Sequence, residues 1–102
     1  MIGGINHDVL IGGPSKDQLN GGPGSDVLRG GAGADRFHMS KGRDRVLDFS
    51  IDDGDLVAVT DSNYTIIRGV GNSTHVKSEE GILRLVDISI DDFNSANPIE
   101  LL

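Results

Sequence analysis

An all-β chain wound as a parallel solenoid is the fold class this sequence predicts, on three observations. Four tandem nine-residue units fill residues 3 to 38, each opening on a Gly-Gly pair. An Asp stands sixth in every unit, as Asp8, Asp17, Asp26 and Asp35, and the eighth position is always apolar, as Leu10, Leu19, Leu28 and Phe37. Self-similarity at a fixed short period marks repeats that stack to bury one continuous core.

Within a unit, six residues of turn chemistry precede three that suit a strand, as in Val9-Leu10-Ile11 and Val27-Leu28-Arg29. Alternation along a strand sends the eighth side chain to one face and its neighbours to the other. Leu10, Leu19, Leu28 and Phe37 are therefore expected to form an interior ladder. A fifth, degenerate unit follows in phase from Met39 to Leu47, keeping Gly42 fourth, Asp44 sixth and Val46 eighth. Next, Asp48 to Asp55 reads as a turn lengthened by two residues, leading into a strand Leu56-Val57-Ala58-Val59. Further strand-like runs are Tyr64 to Arg68, Thr74 to Lys77 and Ile82 to Ile88. Ser89 with Asp92 suits the cap of a single helical turn holding Phe93, before an apolar end from Pro98 to Leu102.

Eleven of the fifteen glycines precede residue 43, so the composition divides the chain into two zones: repeats over 1–59 and a β-rich flank or cap over 60–102. The chain has no Cys and few aromatics, which excludes a disulfide framework and limits the core to that of one domain. Nothing near Met1 reads as a signal peptide, and no apolar run approaches spanning length, so membrane insertion is not expected. A net charge of −7 argues against a nucleic-acid partner and suggests that cations belong to the folded state.

The energetics of one repeat explain why. Ordering nine residues costs on the order of 10 kcal/mol of backbone entropy, whereas burying one Leu returns roughly 2 to 3 kcal/mol. Stacking also brings the Asp side chains of neighbouring turns together, and two carboxylates at ~5 Å repel by about 3 kcal/mol at an effective dielectric of ~20. A divalent cation between them reverses that sign. Calcium suits the place, because it accepts roughly six to eight oxygen ligands in forgiving geometry, backbone carbonyls included. Glycine lets a turn aim carbonyls inward through backbone angles that a Cβ hinders.

Residues 3 to 38, with a fading continuation to about 59, resemble the RTX (haemolysin-type) calcium-binding nonapeptide repeats found towards the C-terminus of bacterial RTX proteins. The resemblance implies a right-handed parallel β-roll in which two repeats make one coil turn, so that an ion lies between repeats n and n+2. Carried over by position, Asp8 and Asp26 would share one ion, Asp17 and Asp35 another, Asp26 and Asp44 a third, and Asp35 and Asp55 a weaker fourth across the longer turn. Carbonyls around Gly3, Gly4, Gly12, Gly13, Gly21, Gly22, Gly24, Gly30, Gly31 and Gly33 would complete the shells. The fourth position departs from Gly at Asn6 and Ser15, and Ser tolerates a left-handed backbone less well than Asn. The second repeat is thus the weakest ligand loop, and the third and fourth match most completely.

Other signals favour blander readings. Asp52 and Asp53 suit a solvated acidic turn, and the segment lacks EF-hand spacing, with Asp53 where the invariant Gly belongs and Val59 where the bidentate Glu belongs. His7, His38 and His75 form no His-Glu-x-x-His motif and read as surface histidines. No catalytic constellation is present, and the chain is not expected to be an enzyme.

The outward positions of the odd repeats, Val9, Ile11, Val27, Arg29, Arg45 and Leu47, are more apolar than Gln18, Asn20, Arg36 and His38 of the even ones. The odd face is expected to be covered by the C-terminal strands or by another chain or domain, the bland alternative being β-propensity on an exposed strand. Repeats that start at Gly3 without a cap suggest a C-terminal portion of a larger parent protein. The run from Gly81 to Phe93 and its acidic, apolar end are similar to the C-terminal flank of RTX proteins, which implies a cap and a type I secretion signal. The leading expectation is a calcium-driven folding module of a secreted bacterial protein. The alternatives are a polysaccharide-recognition module, like epimerase R-modules, presenting Arg29, Arg36, Arg43 and Arg45 to an anionic polysaccharide, and an adhesion or surface-layer element that self-associates through the odd-repeat face.

Overall fold

Strands recur along the chain at the period of the repeat. The computed structural model describes residues 3, 7–59, 63–69, 71–79 and 81–101. Strands β1 (Val9–Ile11), β2 (Gln18–Leu19), β3 (Val27–Arg29) and β4 (Arg36–His38) occupy the last positions of the four units. The degenerate fifth unit supplies β5 (Gly42–Val46), and the lengthened turn leads into β6 (Leu56–Val59).

All pairings among these strands are parallel and join every second unit. Val9 lies beside Val27 and Val27 beside Arg45, while Gln18 lies beside Arg36 and Arg36 beside Leu56. The offset is eighteen residues except at the last pair, where it is twenty, because the turn after Asp48 carries two extra residues. Two repeats therefore make one coil turn, and the fold is a parallel β-roll. Inside it the eighth-position ladder is closed: Leu19, Leu28 and Phe37 are wholly buried and Leu10 nearly so. Phe37 meets Phe49 with ring centroids 5.8 Å apart, in the wider part of the coil.

Beyond Val59 both sheets continue. Strands β7 (Tyr64–Arg68), β8 (Ser73–Ser78) and β9 (Gly81–Val86) form an antiparallel meander, and β9 pairs parallel with β5 over five residues. One sheet thus reads β1-β3-β5-β9-β8-β7. Helix α1 (Ile90–Ala96) follows, capped by the Ser89 hydroxyl, which accepts the Asp92 N–H at 3.1 Å, and ended by left-handed Asn97 at φ 48°. It runs longer than the single turn expected, because buried Phe93 fixes its middle and Asn97 N–H closes its end on Phe93 O at 2.7 Å. The apolar terminus then forms β10 (Ile99–Leu101), parallel to β6, so the second sheet reads β10-β6-β4-β2.

Two expectations about faces are corrected. The C-terminal strands do not cover the odd-repeat face; β9, β8 and β7 extend that sheet sideways, leaving Val9 66% and Ile11 59% exposed. The backbone of β5 offered an open edge, and satisfying those hydrogen bonds fixes β9 beside it. His75 is half-buried within the extended sheet, whereas His7 is exposed as expected.

Candidate metal sites

The repeated Asp side chains form two ladders, one along each edge of the roll. From the third unit on, each ladder carboxylate folds back beneath the turn two repeats earlier and accepts its backbone N–H. Asp26 Oδ1 takes the Asp8 N–H at 2.8 Å and Asp44 Oδ1 the Asp26 N–H at 3.0 Å. On the other edge Asp35 Oδ1 takes the Asp17 N–H at 2.9 Å and Asp55 Oδ1 the Asp35 N–H at 2.8 Å. All four pairs implied by the resemblance are therefore brought together, including the pair across the longer turn.

The second oxygens separate the sites. Asp26 Oδ2 and Asp35 Oδ2 are buried and have no hydrogen-bond partner. An unpaired buried carboxylate oxygen costs several times what a satisfied one does, so these two atoms fit a cation that the fold is built to hold. The outer members differ: Asp44 Oδ2 accepts the Ser40 hydroxyl at 2.6 Å, and Asp55 Oδ2 the Ser50 N–H at 2.8 Å. In the second repeat Asp17 Oδ2 accepts its own turn's Gly13 N–H at 2.8 Å.

Among the described residues no three His, Asp or Glu side chains converge so as to hold an ion. Side chains supply at most two carboxylates per site, and backbone carbonyls must supply the rest. The glycines are placed for this. A Cβ on Gly12 would lie 2.6 Å from Asp17 Oδ2, and one on Gly3, Gly21 or Gly30 would likewise strike the carboxylate of its own repeat, so Gly at the first position of these four repeats leaves the carboxylate its place. Gly22, Gly24, Gly31 and Gly33 all adopt positive φ, and a Cβ on Gly31 would sit 2.6 Å from Gly13 O, one on Gly33 3.0 Å from Ser15 O. Carbonyls of one turn thus face the next. Gly13 lacks the left-handed backbone of its counterparts Gly22 and Gly31, as Ser15 lacks that of Gly24 and Gly33, so the second turn has a different shape, as its sequence led one to expect. Gly4 lies outside the described residues.

Asp48 was missed from sequence. Its carboxylate accepts the N–H groups of Gly30 and Gly31, each at 2.9 Å, where Gly3 and Gly12 instead donate to the carbonyls of Asn20 and Arg29. The signal was available in the phase: Asp48 occupies the first position of the unit after Leu47, where earlier units carry Gly. Asp52 and Asp53 are exposed in the acidic turn, as expected.

Burial dominates the electrostatics. It pushes the Asp35 carboxyl up to about 6, against a backbone hydrogen bond from Asp17 and reinforced by the charges of Asp55, Asp17 and Asp48. Burial likewise raises Asp44 to about 6, opposed by the Ser40 hydroxyl and the Asp26 N–H, and raises Asp55. These carboxylates carry folded values above their unfolded ones. Protonation therefore stabilises the metal-free fold: the contribution is complete below the ordinary carboxylate range and is lost as pH rises through about 6. A cation competes with that proton. Calcium affinity is expected to fall as pH drops from 7.5 to 5, by about tenfold for each such carboxylate that an ion contacts, while the chelated chain gains β signal over the same interval. Titration calorimetry and circular dichroism check the two halves, and an affinity constant across that range would contradict the assignment.

Taken together, the stacked turns define a parallel β-roll whose buried carboxylate ladders are suited to divalent cations. A family model of the RTX calcium-binding nonapeptide repeat matches residues 2–37 and 11–46, so these residues carry RTX repeats. The extracellular lipase LipA from Serratia marcescens overlays with a TM-score of 0.71 at 18% identity, covering 98% of this chain and 20% of the lipase. That likeness shows the fold, and the chain spans about one fifth of the lipase's length. The AlgE6R3 subunit of the Azotobacter vinelandii mannuronan C5-epimerase aligns over 95% of this chain and 80% of its own at 20% identity, with a TM-score of 0.36 that supports no comparison. No curated protein matches the chain.

Proposed function

We propose that this chain is a calcium-driven folding module of a secreted bacterial protein, without catalysis of its own, and that its export follows the type I route implied by the RTX repeats. The observation that carries the folding part is the pair of buried, unpartnered oxygens Asp26 Oδ2 and Asp35 Oδ2 in the two best-matched repeats. Without a cation, folding at neutral pH buries these carboxylates beside others raised by desolvation. The coil must then offset that penalty from strands only two to five residues long. Asp8, Asp17, Asp26, Asp35, Asp44 and Asp55, with carbonyls of the turns between them, would hold the ions, which supply charge neutralisation.

Binding to the native state alone shifts folding by mass action. In low cytosolic calcium the chain stays extended enough to thread a secretion channel; in external calcium it folds. Calcium titration followed by far-UV circular dichroism tests this. A cooperative rise in β signal is expected, and an unchanged β signal in chelator would sink the reading. The polysaccharide alternative loses one of its arginines, since Arg36 pairs with Glu100 at 3.0 Å on the even sheet.

A further inference from the structure

The outer face of the six-stranded sheet takes no part in the acidic turns. Strand register sets rows of outward side chains across it: Val9, Val27, Arg45, Arg84, His75 and Ile67 stand side by side in one row. Ile11 and Arg29 begin the row on one side, and Arg43, Ile82, Lys77 and Thr65 form the row on the other. Five of the chain's nine Lys and Arg residues therefore share one face of a protein whose net charge is −7. The only carboxylate in these six strands is Asp44, which is buried in the turn ladder. A cleft of about 580 Å3 lies among Arg43, Arg45, Arg84, His75 and Ile82, with Ser25 and Asp44 also in its wall.

The same face carries three of the four exposed large hydrophobic residues among those described, Val9 at 66%, Ile11 at 59% and Ile67 at 40%. They flank the basic centre at its two ends. The basic band crosses β3, β5, β9 and β8, roughly 14 Å at the spacing of paired strands, so it meets an extended array of negative charges better than one small anion. A soluble polyanion would leave the aliphatic side chains unused, and no Phe, Tyr or Trp ring stands in these rows for a sugar to stack on. Nucleic acid, like any other soluble polyanion, leaves those aliphatic side chains unused. An anionic lipid surface satisfies both parts of the face, with phosphates for the guanidinium groups and a headgroup layer that accepts short aliphatic side chains.

We propose that this face docks on an anionic lipid surface, with Arg43, Arg45, Arg84 and Lys77 on headgroup phosphates and Val9, Ile11 and Ile67 entering the headgroup layer. The docking is peripheral and independent of whether the module is a folding switch. Co-sedimentation of the calcium-loaded chain with vesicles of phosphatidylcholine mixed with phosphatidylglycerol, and of phosphatidylcholine alone, tests it. Binding only to the mixed vesicles, weakening as salt is raised, is expected. Each basic residue removed should lower binding about fivefold, so Arg45→Gln with Arg84→Gln should lower it about 25-fold. Val9→Ser with Ile11→Ser, at exposed positions of the first strand, should also weaken vesicle binding while leaving the calcium-induced circular dichroism signal intact. Equal binding to phosphatidylcholine alone, or vesicle binding indifferent to both double variants, would overturn the proposal. So would tighter binding to soluble polygalacturonate that ignores the Val9 and Ile11 changes, which identifies a polyanion site instead.

Discussion

Asp26→Ala is expected to reduce calcium uptake at two levels of the roll at once, and to do so more than substitution of the carboxylates at the ends of the ladders. Asp26 is the middle member of the ladder Asp8–Asp26–Asp44. Its Oδ1 holds the turn before it through the Asp8 N–H, its own N–H is held by Asp44 Oδ1, and its Oδ2 is buried without a partner. Truncation removes a ligand from both inter-turn spaces and strands the Asp8 N–H. Titration calorimetry should show a lower stoichiometry and weaker residual binding; unchanged stoichiometry and affinity would contradict a shared carboxylate. Asp26→Asn separates charge from shape, because the amide oxygen can still accept the Asp8 N–H. It should fold more readily than the Ala variant in chelator yet bind calcium weakly. Asp17→Ala is expected to cost less, since Asp17 heads its ladder and its Oδ2 is tied to Gly13 N–H in a turn of different backbone shape.

The sequence made the roll legible where local chemistry and global arrangement share one period. The eighth-position spacing predicted the buried ladder from Leu10 to Phe37, because a repeat with one apolar position has one way to stack, and the resemblance to RTX repeats placed Asp8 opposite Asp26 and Asp35 opposite Asp55. The different backbone of the second turn was legible too, in Ser15. What escaped was decided by partners distant in the chain. Residues 64–78 turned out to be an antiparallel extension of the odd sheet, a pairing that no local pattern distinguishes from a further coil turn. The terminal Ile99–Leu101 reads as an apolar tail until β6 is known to offer it an edge. Asp48 was passed over because an Asp in a turn is ordinary; only the first-position glycines two repeats earlier show that its carboxylate substitutes for a strand carbonyl. The Ser40 hydroxyl on Asp44 belongs to the same class, a contact four residues apart that depends on the carboxylate already being folded inward.

Phe37→Ala provides the sharpest separation between a cation that drives folding and one that decorates a finished fold. Phe37 is wholly buried, stands where the other units carry Leu, and packs on Phe49 in the wider part of the coil. Its side chain carries no oxygen, so its loss removes no calcium ligand, although its ring end stands beside the Asp35 carboxylate across Gly30. Truncating a buried Phe costs about 3 to 5 kcal/mol, from lost transfer energy plus the cavity left behind. If the metal-free chain were already folded, that loss would appear in denaturant melts and leave the calcium midpoint where it was. If ion uptake and folding are one event, the same loss must be offset by a higher free calcium concentration. A penalty of about 4 kcal/mol then moves the midpoint of the dichroism titration about 30-fold when two ions are taken up cooperatively and about fivefold when four are. The size of the shift therefore counts the ions coupled to folding. Phe37→Leu, which restores the residue type of the first three units, should recover most of it. An unmoved midpoint for Phe37→Ala, with a melt lowered by the expected amount, would show that the roll forms first and binds afterwards.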